Sequence, residues 1–205
     1  MIKNIIFDLG VVLLNIDFQK TMNAFQNLGI SNVEEIFSGY TQSNFFDSFE
    51  KGIISPEEFR EEIRKHLSQT VTDEMIDEAW NAMILDFPAE KINILISLRS
   101  NFRIFLLSNT NAIHFPVYNK QLQDNYRINN LSDLFDKAYY SYRMGLRKPD
   151  REIYEQVLNE NLLKPEETIF IDDAVKNINA ANELGIHTVL FEPAKSLSEI
   201  LGELK

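Results

Sequence analysis

The sequence predicts an α/β fold, a doubly wound parallel sheet interrupted near its start by a small helical domain. Three observations carry this. Apolar runs of strand length recur at residues 2–7, 102–107, 168–171 and 187–191, separated by segments with helical spacing. Two of these runs end in carboxylates, Asp8 after the first and Asp172 with Asp173 after the third. Ligands of open α/β sheets lie just beyond the carboxyl ends of the strands. Residues 17–85, by contrast, carry successive helical patterns with no strand among them, which suits an inserted bundle rather than a βαβ array. The expected division is therefore a sheet-bearing core of 1–16 with 86–205, and a helical cap of 17–85.

In order, residues 2–7 read as a strand buried on both faces, stopped at Asp8, with Gly10 releasing the chain into a turn. A second apolar patch, 11–14, leads to Asp17. Phe18, Met22, Phe25 and Leu28 fall at helical spacing, closed by Gly29. Ser31 and Glu34 make a capping-box pattern that opens another helix. Ser55-Pro56-Glu57-Glu58 opens a third, with Ser as N-cap, Pro at the first position and acids against the positive helix end. It should run to 68 with Phe59, Ile63 and Leu67 inward. Thr72 opens a fourth, through Trp80, Met83 and Ile84.

Past Pro88, residues 89–100 predict a helix and 102–107 a strand ending at Ser108. Residues 112–135 are polar and irregular, with only partial helix expected. Residues 137–141 suit a short strand. Residues 145–150 form a turn into a helix, with Pro149 at its beginning and Ile153, Val157 and Leu158 on the core side. The strand ending at Asp172 is followed by a helix over 173–184, stopped by Gly185, and by a last strand, 187–191. The alternation implies parallel pairing through right-handed crossovers.

A chain of 205 residues, 44% hydrophobic, can fill one α/β domain with an insert. Its net charge of −11 argues against nucleic acid or an anionic membrane as partner, and requires local positive charge for any anionic substrate. Without cysteine there are no disulfides and no thiol catalysis. The N-terminus lacks the layout of a signal peptide, and no apolar run approaches a membrane span. A cytoplasmic protein, monomeric or weakly dimeric, is expected.

Four motifs stand in order, each at a strand end or before a helix: Phe7-Asp8-Leu9-Gly10, Leu107-Ser108-Asn109-Thr110-Asn111, Arg147-Lys148-Pro149-Asp150, and Phe170-Ile171-Asp172-Asp173 with Asn177 beyond. Singly each is weak. In this order and spacing they resemble the haloacid dehalogenase superfamily, mostly phosphatases, over nearly the whole chain, helical cap included. Similar members are small glucose-1-phosphate phosphatase-like sugar phosphatases, which also carry Asp-Leu-Gly in the first motif. The resemblance implies a Rossmann-like core and a Mg²⁺-dependent phosphatase of a small phosphorylated metabolite, a sugar phosphate such as a hexose 1-phosphate.

The residue chemistry agrees. Phosphoryl transfer needs an in-line nucleophile, a cation on the phosphoryl oxygens and further positive charge. Asp8 is the expected nucleophile, forming an aspartyl-phosphate that water later cleaves. Asp172 and Asp173 would repel each other and Asp8 unless a hard divalent cation sat among them, and Mg²⁺ suits such oxygen ligands. By resemblance, Asp8, Asp173 and the Gly10 carbonyl are the ligands, with Asp172 supporting. Helix capping alone would explain one of these acids but hardly both. Ser108 and the backbone amides after it, from Asn109, are expected to donate to the phosphoryl oxygens. Lys148 supplies a compact positive charge, and Arg147 is expected to assist it on the substrate and against the acids. An exposed lysine and an ordinary strand-end turn are the plainer readings of Lys148 and Ser108.

One position departs from the pattern. Most phosphatases of this superfamily place a second Asp two residues after the nucleophile, as general acid and base; here that residue is Gly10. Such catalysis is worth about 10²–10⁴-fold. A good leaving group, such as the anomeric oxygen of a sugar 1-phosphate, would lessen the need. Alternatively His114 stands in, against the plainer reading of a packing histidine. Val11 occupies a position where similar enzymes usually have Asn. His66 and His187 read as structural. Aromatic residues of the cap read as core, with one or two from 40–49 facing a sugar. Competing functions are a non-catalytic sensor of phosphorylated ligands, made plausible by Gly10, and a metal-independent haloacid dehalogenase, which the Asp172-Asp173 pair argues against.

Overall fold

The computed structural model describes residues 1–34, 44–67 and 70–202. Five strands, β1 (Asn4–Phe7), β2 (Arg103–Ser108), β3 (Lys137–Tyr140), β4 (Thr168–Asp172) and β5 (His187–Leu190), form one sheet in the order β3-β2-β1-β4-β5. All four pairings are parallel. The chain winds from β1 to one side through β2 and β3, then crosses back to β4 and β5. The reversal falls between β1 and β4, the switch point at which such sheets bind ligands.

The strands are short and apolar because both faces are covered. Ile5, Phe7, Ile104, Leu106, Ile169 and Ile171 point to one face. There they meet α5 (Ala89–Leu98), α6 (His114–Tyr126) and α10 (Leu197–Gly202). Ile6, Phe105, Leu107 and Phe170 point to the other, against α8 (Arg151–Asn161) and α9 (Val175–Asn182). The period-two alternation within each strand thus decides which helix layer it holds.

Residues between β1 and α5 build a separate apolar cluster. It is formed by α1 (Phe18–Asn27), α2 (Asn44–Glu50), α3 (Pro56–Arg64) and α4 (Asp73–Asn81) around Phe25, Phe46, Phe49, Phe59, Ile76 and Trp80. Phe59 stacks on Phe49 at 4.2 Å and lies 5.1 Å from the Trp80 ring. The chain enters and leaves this bundle through a two-stranded stem. Ile16 bridges Ile84 antiparallel, with Asn15 N–H donating to Asp86 O, Leu85 N–H to Asn15 O and Asp17 N–H to Met83 O.

Several elements differ from expectation. The helix opened by Ser55 has the full capping box with Glu58 but stops at Arg64. α4 ends at Asn81, leaving Met83 and Ile84 to the stem. Pro149 lies outside α8, following a cis peptide bond. α9 begins at Val175 rather than 173, because Asp172 Oδ1 accepts from Ala174 N–H and turns the chain first. Helices α2, α7 (Ser141–Met144) and α10 carried no sequence expectation. Phe46 and Phe49 are buried in the bundle rather than turned to a cleft. His66 lies beyond the end of α3 and is exposed. The helix expected from Ser31 and the aromatic Tyr40 fall wholly or largely outside the described residues. No helix among the described residues is long and apolar enough to cross a membrane.

Candidate active site

Strand pairing brings Asp8 and Asp172 together. β1 and β4 are neighbours in register, Phe7 opposite Ile171, so the next residue of each, Asp8 and Asp172, lies at the carboxyl edge of the sheet at the switch point. Asp8 N–H donates to Ile171 O at 2.9 Å, which extends the ladder to the acid itself. Carboxylate oxygens of Asp8, Asp172 and Asp173 lie within 4.8 Å of one another.

Lys148 reaches between them. Its Nζ donates to Asp8 Oδ1 at 2.5 Å and to Asp172 Oδ2 at 2.6 Å, and the side chain is 1% exposed. This burial is tolerable only because the ammonium is paired twice. The loop carrying it is fixed by the strand-end Asn109, whose Oδ1 accepts from Lys148 N–H and whose Nδ2 donates to Lys148 O, both at 2.9 Å. Asp172 is fixed in turn. Asn177 Nδ2 donates to both its oxygens at 3.0 Å, and Ala174 N–H donates to Oδ1. Asp173 is more exposed than the other two acids.

The electrostatics follow from the crowding. Burial pushes the Asp8 carboxyl up to about 7, Lys148 pulls the other way, and the neighbouring Asp172 adds to the rise. Burial works against the Lys148 ammonium, yet Asp8 and Asp172 hold it above the ordinary lysine value. Asp173 is raised by burial and then by Asp172. One cation therefore serves three acids, the condition in which a further cation binds. The donor set is all oxygen, and the Lys148 ammonium is bound to Oδ1 of Asp8. Those features fit a hard divalent ion. The Gly10 carbonyl accepts from Val12 N–H at 2.6 Å and keeps a second lone pair.

Ser108 ends β2 beside this cluster, buried, its Oγ no closer than 3.5 Å to the Asn109 carbonyl. Thr110 and Ser141 hold the loop that follows, Ser141 Oγ accepting from Thr110 N–H and donating to Thr110 O, both at 2.9 Å. Val11 adopts a left-handed conformation, φ 62°, and its carbonyl accepts from Lys91 Nζ at 2.9 Å. A β-branched residue is strained in this region, which Asn enters more readily.

Two expected residues are placed otherwise. Arg147 is buried and paired with Asp47 and, at 2.7 Å, with Glu50, both on α2. His114 lines a cavity of about 80 Å³ with Gly10, Ser108, Thr110 and Tyr118, but it is not set up as a proton donor. Its ring stacks on Trp80 at 4.9 Å and its Nδ1 bonds Asn81 Oδ1 at 2.8 Å. Burial drops its pKa to about 3, so the imidazole is neutral at physiological pH. Sequence reasoning missed the Asn109–Lys148 clasp and the partners of Arg147. The Asp47, Glu50, Lys51 spacing, one face of a helix, was the available signal for the latter.

Comparison with known proteins places this geometry. The family described as haloacid dehalogenase-like hydrolase matches residues 5–191. A D-ribitol-5-phosphate phosphatase of Bacteroides thetaiotaomicron is 33% identical over 198 residues, 94% of this chain and 92% of that protein. A crystal structure of an enzyme of the haloacid dehalogenase family from the same organism, in complex with magnesium and inorganic phosphate, superposes with a TM-score of 0.87 at 39% identity. It covers 98% of this chain and 99% of that one. A hydrolase of the same kind from Porphyromonas gingivalis gives a TM-score of 0.89 at 32% identity, covering 100% and 98%.

Proposed function

The chain belongs to the haloacid dehalogenase-like hydrolase family, and from that premise we propose that it is a Mg²⁺-dependent phosphatase of small phosphorylated metabolites, of the sugar- and polyol-phosphate class. The observation that carries this is the buried Lys148 bridging Asp8 and Asp172 at the switch point, with Asp173 beside them. An isolated lysine would not be held there, 1% exposed, without two carboxylates to hold.

Asp8 is the nucleophile. One oxygen of its carboxylate attacks phosphorus, the bond from phosphorus to the ester oxygen breaks, and the resulting aspartyl-phosphate is cleaved by water to return Asp8 and inorganic phosphate. Lys148 holds Asp8 and balances phosphoryl charge. The Ser108 hydroxyl, which makes only a long 3.5 Å bond to the Asn109 carbonyl, and the Asn109 backbone N–H donate to the equatorial oxygens. Asp8, Asp173 and the Gly10 carbonyl are the residues that would hold Mg²⁺, with Asp172 oriented behind them by Asn177. The ion supplies charge neutralisation on the phosphoryl oxygens and favours the ionised form of the acids. The helices of 17–85 form the cap, which governs substrate access.

The substrate is better drawn as a sugar or polyol phosphate than as a hexose 1-phosphate. The relative above that bears a substrate name acts on a polyol 5-phosphate, whose leaving group is an ordinary alcohol. With His114 neutral and Gly10 in place of a carboxylate, the alcohol takes its proton from water. Phosphate release from a panel of polyol, sugar and nucleoside phosphates, with and without Mg²⁺, tests the proposal. Release that is absent across the panel, or that persists in Asp8→Asn, ends it.

A further inference from the structure

The loop that carries Lys148 is anchored on both sides to one short helix of the bundle. Arg147, immediately before it, binds Asp47 and Glu50 of α2. Asp150, two residues after it, accepts from Lys51 Nζ at 2.8 Å, just past the end of α2. The next residue, Gly52, has φ 65°, and a Cβ there would sit 2.1 Å from the Tyr142 carbonyl oxygen of α7. The chain thus comes off α2 in backbone contact with the core. Arg147 adds no net positive charge to the phosphate side, since two acids face it. Its arrangement serves geometry instead.

We propose that Arg147 is a positioning residue: by gripping Asp47 and Glu50 it makes α2 of the cap set the place of the Lys148 ammonium, and so the rate at which Asp8 transfers phosphate. The inference rests on the phosphatase reading for its kinetic test, but not for its binding test. Lys148 must reach two carboxylates at 2.5 and 2.6 Å from a loop that the Asn109 side chain also tethers. Misplacement of a catalytic group by about 1 Å can cost about 10²-fold.

The test compares full-length wild type with Arg147→Met, Arg147→Lys and Gly52→Ala. Three quantities are read: kcat and KM on p-nitrophenyl phosphate, the same on a polyol phosphate, and the affinity for inorganic phosphate with Mg²⁺ by calorimetry. Arg147→Met is expected to lower kcat about 10-fold or more on both substrates and to weaken phosphate binding similarly. Arg147→Lys should recover most of the loss, and Gly52→Ala, which removes no charge, should reproduce it. The proposal is overturned if Arg147→Met keeps both kcat values and phosphate affinity within about twofold of wild type. It is equally overturned if only the larger substrate suffers, since that marks a substrate contact, or if Gly52→Ala is silent. Should Arg147→Met not fold, Lys51→Met loosens the other end of the anchor at a half-exposed site and is judged by the same criteria. A wild type that releases no phosphate defeats the phosphatase reading, while the phosphate affinities still decide the role of Arg147.

Discussion

Single side chains at this site have separable consequences. Asp8→Asn keeps the shape and removes the proposed nucleophile, so turnover should fall by at least about 10³-fold in a phosphate-release assay. Lys148→Met leaves two buried acids facing each other. Breaking a buried pair costs about 3–5 kcal/mol, and a urea melt in the absence of metal should show a loss of that order. Val11 holds a conformation that costs an L-residue about 1–2 kcal/mol. Val11→Asn should recover up to about 1 kcal/mol in the same melt. His114 makes a pH prediction. Its folded-state pKa of about 3 lies below its ordinary 6.5, so the unfolded chain takes up a proton that the folded chain refuses. The stability tied to neutral His114 is intact above pH 6.5 and is lost as pH falls from there towards 3. The slope is at most about 1.4 kcal/mol per pH unit. Urea melts of His114→Gln against wild type between pH 7.5 and 5 should show the difference growing in favour of the variant.

At this scale the sequence was most legible where chemistry and strand ends coincide. Asp8, Ser108 and Asp172 each end or follow a short apolar run, and the sheet brings such residues to one edge. The partners of Arg147 and His114 were not legible, because Asp47, Glu50, Trp80 and Asn81 sit on helices whose docking no local pattern encodes.

Among the elements, one cap signature was legible in full. The Ser55-x-x-Glu58 signature formed both of its reciprocal bonds, at 3.2 and 2.7 Å. Ser55→Ala should cost about 1 kcal/mol in thermal or urea unfolding. Helix α6 was only partly foreseen because it starts without a side-chain cap at its N-cap residue, Ile113. The amides of Ile113 and His114 are satisfied by Asn111 Oδ1, at 3.1 and 3.0 Å. Helix α2 owes its place to tertiary contacts. Phe46 and Phe49 pack on Phe59 and Trp80. Phe59, fully buried at their centre, should cost about 3–5 kcal/mol when changed to Ala.

Over the whole molecule, charge and metal act together. A chain of net charge −11 that gathers three acids at one point has a site which a divalent cation relieves. Chelation should abolish phosphate release and lower the melting temperature, and Mg²⁺ should restore both. Saturation at 100 times the dissociation constant is worth about 2.7 kcal/mol, readable by differential scanning calorimetry. The architecture was legible at this scale because alternating strands and helices leave few topologies. The grip of the bundle on the core was not, since it depends on backbone approach at Gly52 and on ion pairs 100 residues apart.

The stem at Ile16 and Ile84 makes the bundle a cassette. Because entry and exit already lie side by side and hydrogen-bonded, a tight reverse turn joining them would close the sheet-bearing part without stretching it. A foreign recognition module with neighbouring termini could be spliced in at the same seam. The sheet and its acids could thus stay as they are while the bundle is exchanged, provided the newcomer brings its own clasp for the loop at Arg147.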